Sequence, residues 1–159
     1  MTVNKKQPKK AKRVFSCSFC YNEGHTINNC NDERIDMLEN DIKENTAVDM
    51  KINLNTEYLH YHLQTYTKEE LLVIGYKNKL NVKTTYPIND IITTIIEFYT
   101  LFSDEYDSII QNMNITELDY FINKIHQMLL DTNNNTISLS EIQSSLYEYQ
   151  REPRLLDIN

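Results

Sequence analysis

The residues whose types and spacing could support chemistry lie in one stretch of the chain, CSFCYNEGHTINNC. It contains all three cysteines and one of the four histidines. Cys17, Cys20, His25 and Cys30 follow one another with gaps of two, four and four residues. Thiolate sulfur and imidazole nitrogen are preferred ligands of zinc, which takes four of them at the corners of a tetrahedron. The spacing therefore predicts one Zn²⁺ held by these four side chains.

Two further features of the stretch favour a metal over disulfides. An odd number of cysteines in a reducing compartment is typical of metal binding. Fourteen residues are too few to bury a core of their own, so a metal would supply the folding free energy, of order 10 kcal/mol. Gly24 directly precedes His25, where we expect a compact loop to need a backbone without Cβ crowding. The alternative is three chance cysteines and a surface histidine.

The four ligand positions and the Gly24–His25 pair resemble the CCHC zinc knuckle of retroviral nucleocapsid proteins and of many cellular RNA-binding proteins. The resemblance covers about a tenth of the chain. It implies binding of single-stranded RNA or DNA, in which an unpaired base stacks between an aromatic and an aliphatic side chain.

By position, the resemblance makes Phe19, Tyr21 and Ile27 the candidate nucleic-acid contacts. The match is incomplete, because Ser18 stands where knuckles commonly carry the aromatic residue and Tyr21 stands where they carry glycine. The loop also contains no Lys or Arg and has one acid, Glu23. Because phosphate contacts usually dominate affinity, the loop alone should bind nucleic acid weakly.

Positive charge is concentrated just upstream, in a segment that we call the basic arm (residues 1–13). It has six cations and no acid, whereas the rest of the chain has a net charge of −13. Such an arm would attract phosphates while the loop offers a stacking site. Its cations, all candidate nucleic-acid contacts, are Lys5, Lys6, Lys9, Lys10, Lys12 and Arg13. A nuclear-localisation signal and a disordered solubilising tail are the other interpretations.

Composition and periodicity predict a mostly α fold, with the small CCHC knuckle at the N-terminus followed by an all-α helical domain. With two glycines and three prolines, the chain has few of the residues that turns in β-rich folds favour. Apolar spacing and three capping boxes, at Thr67, Asn114 and Ser138, predict a five- or six-helix array. The expected segments are the basic arm 1–13, the knuckle 14–31, a short acidic helix and linker 32–55, the helical domain 56–150 and a tail 151–159.

Two weaker patterns lie in the helical part. Residues 67–98 loosely resemble SAP-like helix–extension–helix modules, which implies DNA binding through Lys77, Lys79 and Lys83; simple helix pairing is the alternative. The loop from Asp131 to Glu141 has calcium-type ligands, but its glutamate falls at position 11 instead of 12, so a polar interhelical loop is the better interpretation.

These observations predict a zinc-binding, nucleic-acid-binding protein whose helical domain contacts a protein partner. The alternative is a structural or interaction protein, for example a virion or scaffold component, in which zinc is purely structural. No nucleophile elbow, phosphate-cradling loop or zinc-protease motif is present, so we expect no enzyme. We expect no membrane association and an intracellular location, in the nucleus or cytoplasm or in a virion. The Asn- and Ile-rich composition resembles that of large DNA viruses and AT-rich protists.

Overall fold

A computed structural model describes residues 15–102, 106–132 and 137–151. These residues form seven α-helices and no β-strand, so the predicted mostly α class is confirmed for them, with more helices than expected. The helices are α1 (Arg34–Ile52), α2 (Glu57–Leu63), α3 (Lys68–Lys77), α4 (Ile88–Thr100), α5 (Asp107–Gln111), α6 (Ile115–Asp131) and α7 (Leu139–Arg151). We call them together the helical body, and residues 15–31 the metal loop.

Three helices begin at the capping boxes that the sequence predicts. In each box the first side chain accepts a hydrogen bond from the backbone N–H three residues on, and that residue's carboxylate accepts one from the first residue's N–H. The pairs are Thr67 with Glu70, Asn114 with Glu117, and Ser138 with Glu141. These bonds satisfy backbone donors that a helix start would otherwise leave unpaired.

The segment 32–55 was expected to hold a short helix and then a linker; the linker was wrong, because α1 continues to Ile52. Two polar side chains of this segment, Asn45 and Asp49, are buried and paired with residues of α2, a helix that the sequence analysis missed. The buried Asn45 accepts a hydrogen bond from the Tyr58 hydroxyl. Asp49, 1% exposed, accepts from the backbone N–H groups of Thr56 and Leu59 at 2.9 and 2.8 Å.

Helix α1 lies at the centre of the helical body and contacts α2, α3, α4, α5 and α7. The predicted boundary at residue 55 therefore does not separate two packing units, because α1 belongs to the body. The apolar face of α4 lies in the core, where Ile91, Ile92 and Ile95 are fully buried. Helix α3 packs on α4 with one face and on the metal loop with another.

Candidate metal centre

The first half of the metal loop is a tight turn that places two cysteines side by side. The Cys17 N–H donates to the Asn22 carbonyl at 3.0 Å, and the Tyr21 N–H donates back to the Cys17 carbonyl at 2.8 Å. Tyr21 adopts a left-handed conformation with φ of 65°. Glycine adopts this conformation without strain, which gives a physical reason for the glycine that knuckles carry there.

The second half of the loop turns the chain back toward the cysteines. Gly24 has φ of 103°, and a Cβ added there would meet nothing within 4 Å. The expected reason for this glycine, crowding, was therefore wrong; the backbone conformation requires it. A 3₁₀ turn over Ile27–Asn29 follows, and the Cys30 N–H donates to the Ile27 carbonyl at 3.3 Å.

The fold brings all four predicted ligands together. The Sγ atoms of Cys17, Cys20 and Cys30 and a ring nitrogen of His25 all lie within 4.8 Å of one another. Cys20 Sγ is 3.3 Å from His25 Nε2, so this nitrogen faces the sulfurs. Cys17 is fully buried and the other three are partly buried. This group can hold one metal ion.

The electrostatics of the three thiols favour a cation between them. The backbone N–H groups of Phe19 and Cys20 point at Cys17 Sγ from 3.3 and 3.5 Å. Burial raises the pKa of Cys17, but these donors and the neighbouring thiols outweigh it and lower the pKa to about 7. Burial, together with the adjacent Cys17 and Cys20, raises the pKa of Cys30 to about 11. Several thiolates in one place repel one another, and a bound cation removes that penalty.

Residues around the ligands attach the loop to the helical body. Phe19 and Ile27 are only 7% and 8% exposed and join the same apolar core as the helices. The Arg34 guanidinium lies 4.4 Å from the centre of the Phe19 ring and donates to the Phe19 carbonyl at 3.3 Å. Its Nε also donates to the Asp32 carboxylate at 3.0 Å. The metal loop is therefore part of the core of the protein.

The structure separates the predicted nucleic-acid contacts into three groups. Phe19 and Ile27, which the sequence proposed as stacking residues, are buried against the helical body and leave little of either side chain open to a base. Tyr21 is 78% exposed and remains a candidate. Phe15, which the sequence analysis did not single out, is a second exposed aromatic residue of the loop, at 61%. The six arm cations, Lys5, Lys6, Lys9, Lys10, Lys12 and Arg13, lie outside the described residues.

Of the basic patch predicted at Lys77, Lys79 and Lys83, one member is paired with acidic side chains of another helix. Lys77 Nζ lies 2.6 Å from Asp36 and 2.7 Å from Glu39, both on α1. Local sequence contains no acid near Lys77, but the fold supplies two. Lys79 and Lys83 remain exposed.

The calcium-like loop is described only in part, since residues 133–136 lie outside the described ranges. Glu141, its expected last ligand, accepts a hydrogen bond from the Ser138 N–H at 2.8 Å as a helix cap.

A polar cluster that the sequence analysis missed lies between α1, α2 and α6. His62 Nε2 is 2.7 Å from Asp41 Oδ2, and His62 Nδ1 is 2.5 Å from Lys124 Nζ. Because the two partners of His62 lie 21 and 62 residues away in sequence, no local spacing could have revealed the cluster.

None of the helices in the described residues has both the length and the apolar character needed to cross a bilayer. Comparisons of the chain with protein-family models, with characterised protein sequences and with solved structures find no match.

Proposed function

We propose that the metal of this site is one Zn²⁺ and that it fastens the N-terminal segment to the helical body of an interaction protein. The donor set supports zinc, which favours three sulfurs and one imidazole in a closed tetrahedral site. Zinc–sulfur bonds of about 2.3 Å place neighbouring ligand atoms of a tetrahedron about 3.5–3.8 Å apart. The four ligand atoms lie within 4.8 Å of one another, so small side-chain shifts would complete that geometry.

The burial of Phe19 and Ile27 is the main observation that supports a structural role for zinc. Both residues lie between the ligands in sequence, and both are in the core. An ion that fixes the loop therefore also fixes two core residues. This favours the second of the two functions expected from the sequence, in which zinc stabilises a structural or protein-binding unit.

Single-stranded nucleic-acid binding is the second candidate function, and the exposure of Tyr21 favours it. A 78% exposed aromatic ring within the metal loop can stack on an unpaired base. The basic arm directly precedes the loop in sequence and carries six cations. In this proposal the arm supplies phosphate contacts and Tyr21 supplies stacking, in place of the buried Phe19 and Ile27.

A titration of the zinc-loaded full chain with a single-stranded oligonucleotide distinguishes the two functions. If the chain binds nucleic acid through the arm, log K should fall with log salt with a slope of up to about −4. Replacing the six arm cations with glutamine should remove that slope, and Tyr21→Ala should weaken binding by about 1–3 kcal/mol. Tyr120→Ala, which changes an exposed tyrosine of the helical body, is the matched control.

An undetectable response at low salt would remove the nucleic-acid function and leave the interaction protein. Tight, salt-dependent binding that Tyr21→Ala weakens would instead make the nucleic-acid function the leading one.

A further inference from the structure

Three helices contribute one continuous chain of hydrogen bonds that the proposed function does not use. Asp41 of α1, His62 of α2 and Lys124 of α6 are joined by contacts of 2.7 and 2.5 Å. The Tyr66 hydroxyl donates to the same oxygen of Asp41 that His62 contacts. His62 is 5% exposed, so its ring is held by its partners and the surrounding side chains.

The partners assign the tautomer of His62. A carboxylate only accepts hydrogen bonds, so the Nε2 that faces Asp41 carries the proton. The lone pair of Nδ1 then faces the amine of Lys124 and accepts from it. The order amine, imidazole, carboxylate is the arrangement by which a base activates a nucleophile and a third group orients the base.

The amine of Lys124 lies in partly desolvated surroundings. Its Nζ is 5.8 Å from the centre of the Tyr58 ring and 5.6 Å from that of Tyr120. Burial lowers the pKa of Lys124, and the nearby Asp41 carboxylate opposes part of that change. A larger share of this amine is therefore in the neutral, nucleophilic form at neutral pH than for an exposed lysine.

An open cavity of about 720 Å³ gives access to the cluster. This volume suits a small organic molecule. Its walls carry two exposed apolar groups, Met37 and Tyr120, which are 70% and 57% exposed. Glu44 and Glu70 are also in the wall and would disfavour an anionic ligand.

We propose that Lys124 is a nucleophilic amine that forms an imine with a small uncharged aldehyde or ketone, with His62 as its base and Asp41 as a positioning residue. The neutral amine attacks the carbonyl carbon, and the C–O π electrons move to oxygen. His62 Nδ1 takes a proton from the attacking nitrogen and passes it to the alkoxide oxygen, which gives the neutral carbinolamine. The C=N bond then forms as the C–O bond breaks, and His62 Nδ1 carries the remaining N–H proton to the departing hydroxide, which leaves as one water.

Reductive trapping in the intact protein tests this proposal. The full chain is incubated at pH 7 with propanal and cyanoborohydride, and the alkylation rate of each lysine is measured by peptide mass spectrometry. We expect Lys124 to react at least about tenfold faster than the exposed Lys79 and Lys83. As the pH is raised, the rate of Lys124 should start to increase at a lower pH than the rates of Lys79 and Lys83. The anionic aldehyde glyoxylate should show no preference for Lys124. A Lys124 rate equal to or below that of Lys79 would overturn the proposal.

His62→Gln separates the proposed chemistry from a merely structural hydrogen-bond chain. Glutamine can still accept from Lys124 but cannot take up a proton at neutral pH. We expect the trapping rate of Lys124 to fall at least about tenfold, with Lys79 and Lys83 unchanged. His126→Gln, on the same helix as Lys124, is the control and should have no effect. An unchanged Lys124 rate in folded His62→Gln would overturn the role of His62, and the wild-type comparison decides the proposal if this variant does not fold.

Discussion

The metal loop and the helical body reach a buried, ordered state by different means. In the loop, one 3₁₀ turn and an isolated backbone bridge between Ser16 and Glu23 are the regular elements, and the four ligands have no covalent link to hold them. In the body, helices bury apolar faces against one another, as Ile91, Ile92 and Ile95 of α4 do. The two regions nevertheless share one core through Phe19 and Ile27. A region with almost no regular secondary structure therefore supplies packing to a region built of helices.

Removal of the metal should have the largest effect and tests how far the two regions depend on each other. Structural zinc supplies of order 10 kcal/mol of folding free energy, so chelation should unfold residues 15–31. Because the loop packs on α3, hydrogen-exchange protection should also fall on α3, while α6 keeps most of its protection. Unchanged protection of α3 would show that the loop is an independent module.

Truncating Phe19 should cost nearly as much as truncating a residue of the helical core. We expect Phe19→Ala to lower the free energy of unfolding of the metal-loaded protein by about 3–5 kcal/mol. Tyr21→Ala, two residues away and exposed, should change it by less than about 0.5 kcal/mol. Urea unfolding of both variants checks this. Equal, small effects would place Phe19 on the surface.

Adding one methyl group at Gly75 tests close packing within the body. A Cβ there would approach Val82 Cγ2 to 2.6 Å, so Val82 must shift to make room for it. We expect Gly75→Ala to destabilise the protein by about 2 kcal/mol, although alanine favours helices. In the double variant Gly75→Ala/Val82→Ala, the loss of unfolding free energy should be smaller than the sum of the losses in the two single variants. Strict additivity in thermal unfolding would contradict the close contact.

The smallest loss is expected at Glu39, whose negative charge contributes to the stability of the helical body. Its carboxylate accepts from Lys77, Asn78 and the Tyr99 hydroxyl at 2.7–2.8 Å. Burial opposes ionisation, but these donors lower its pKa below the ordinary value of 4.5. Its stabilisation is therefore present above pH 4.5 and is lost as the pH falls through the lower folded-state pKa.

We accordingly expect Glu39→Gln to destabilise the protein by about 1.5 kcal/mol at pH 7 and by less at pH 3. Urea unfolding at the two pH values measures the difference. Glu69→Gln, at an exposed position on α3, is the control. A loss that does not shrink at pH 3 would contradict the charge-based explanation.

Local sequence predicted the parts of the molecule whose interactions are local. The four candidate metal ligands that the fold brings together lie within fourteen residues, and each capping box spans four, so spacing alone indicated both. The second half of α1 was missed because Asn45 and Asp49 are polar, and their partners come from α2. The burial of Phe19 was missed for a similar reason, since docking on the helices is a tertiary contact.

Native mass spectrometry of the reduced full chain, titrated with Zn²⁺, tests whether three thiolates and one imidazole of the metal loop hold a single zinc ion. The wild type should retain one ion, each of Cys17→Ser, Cys20→Ser, His25→Gln and Cys30→Ser should lose it, and His60→Gln should keep it. A reduced wild-type chain that takes up no zinc, or variants of the four residues that bind it as tightly as the wild type, would contradict zinc binding at this site.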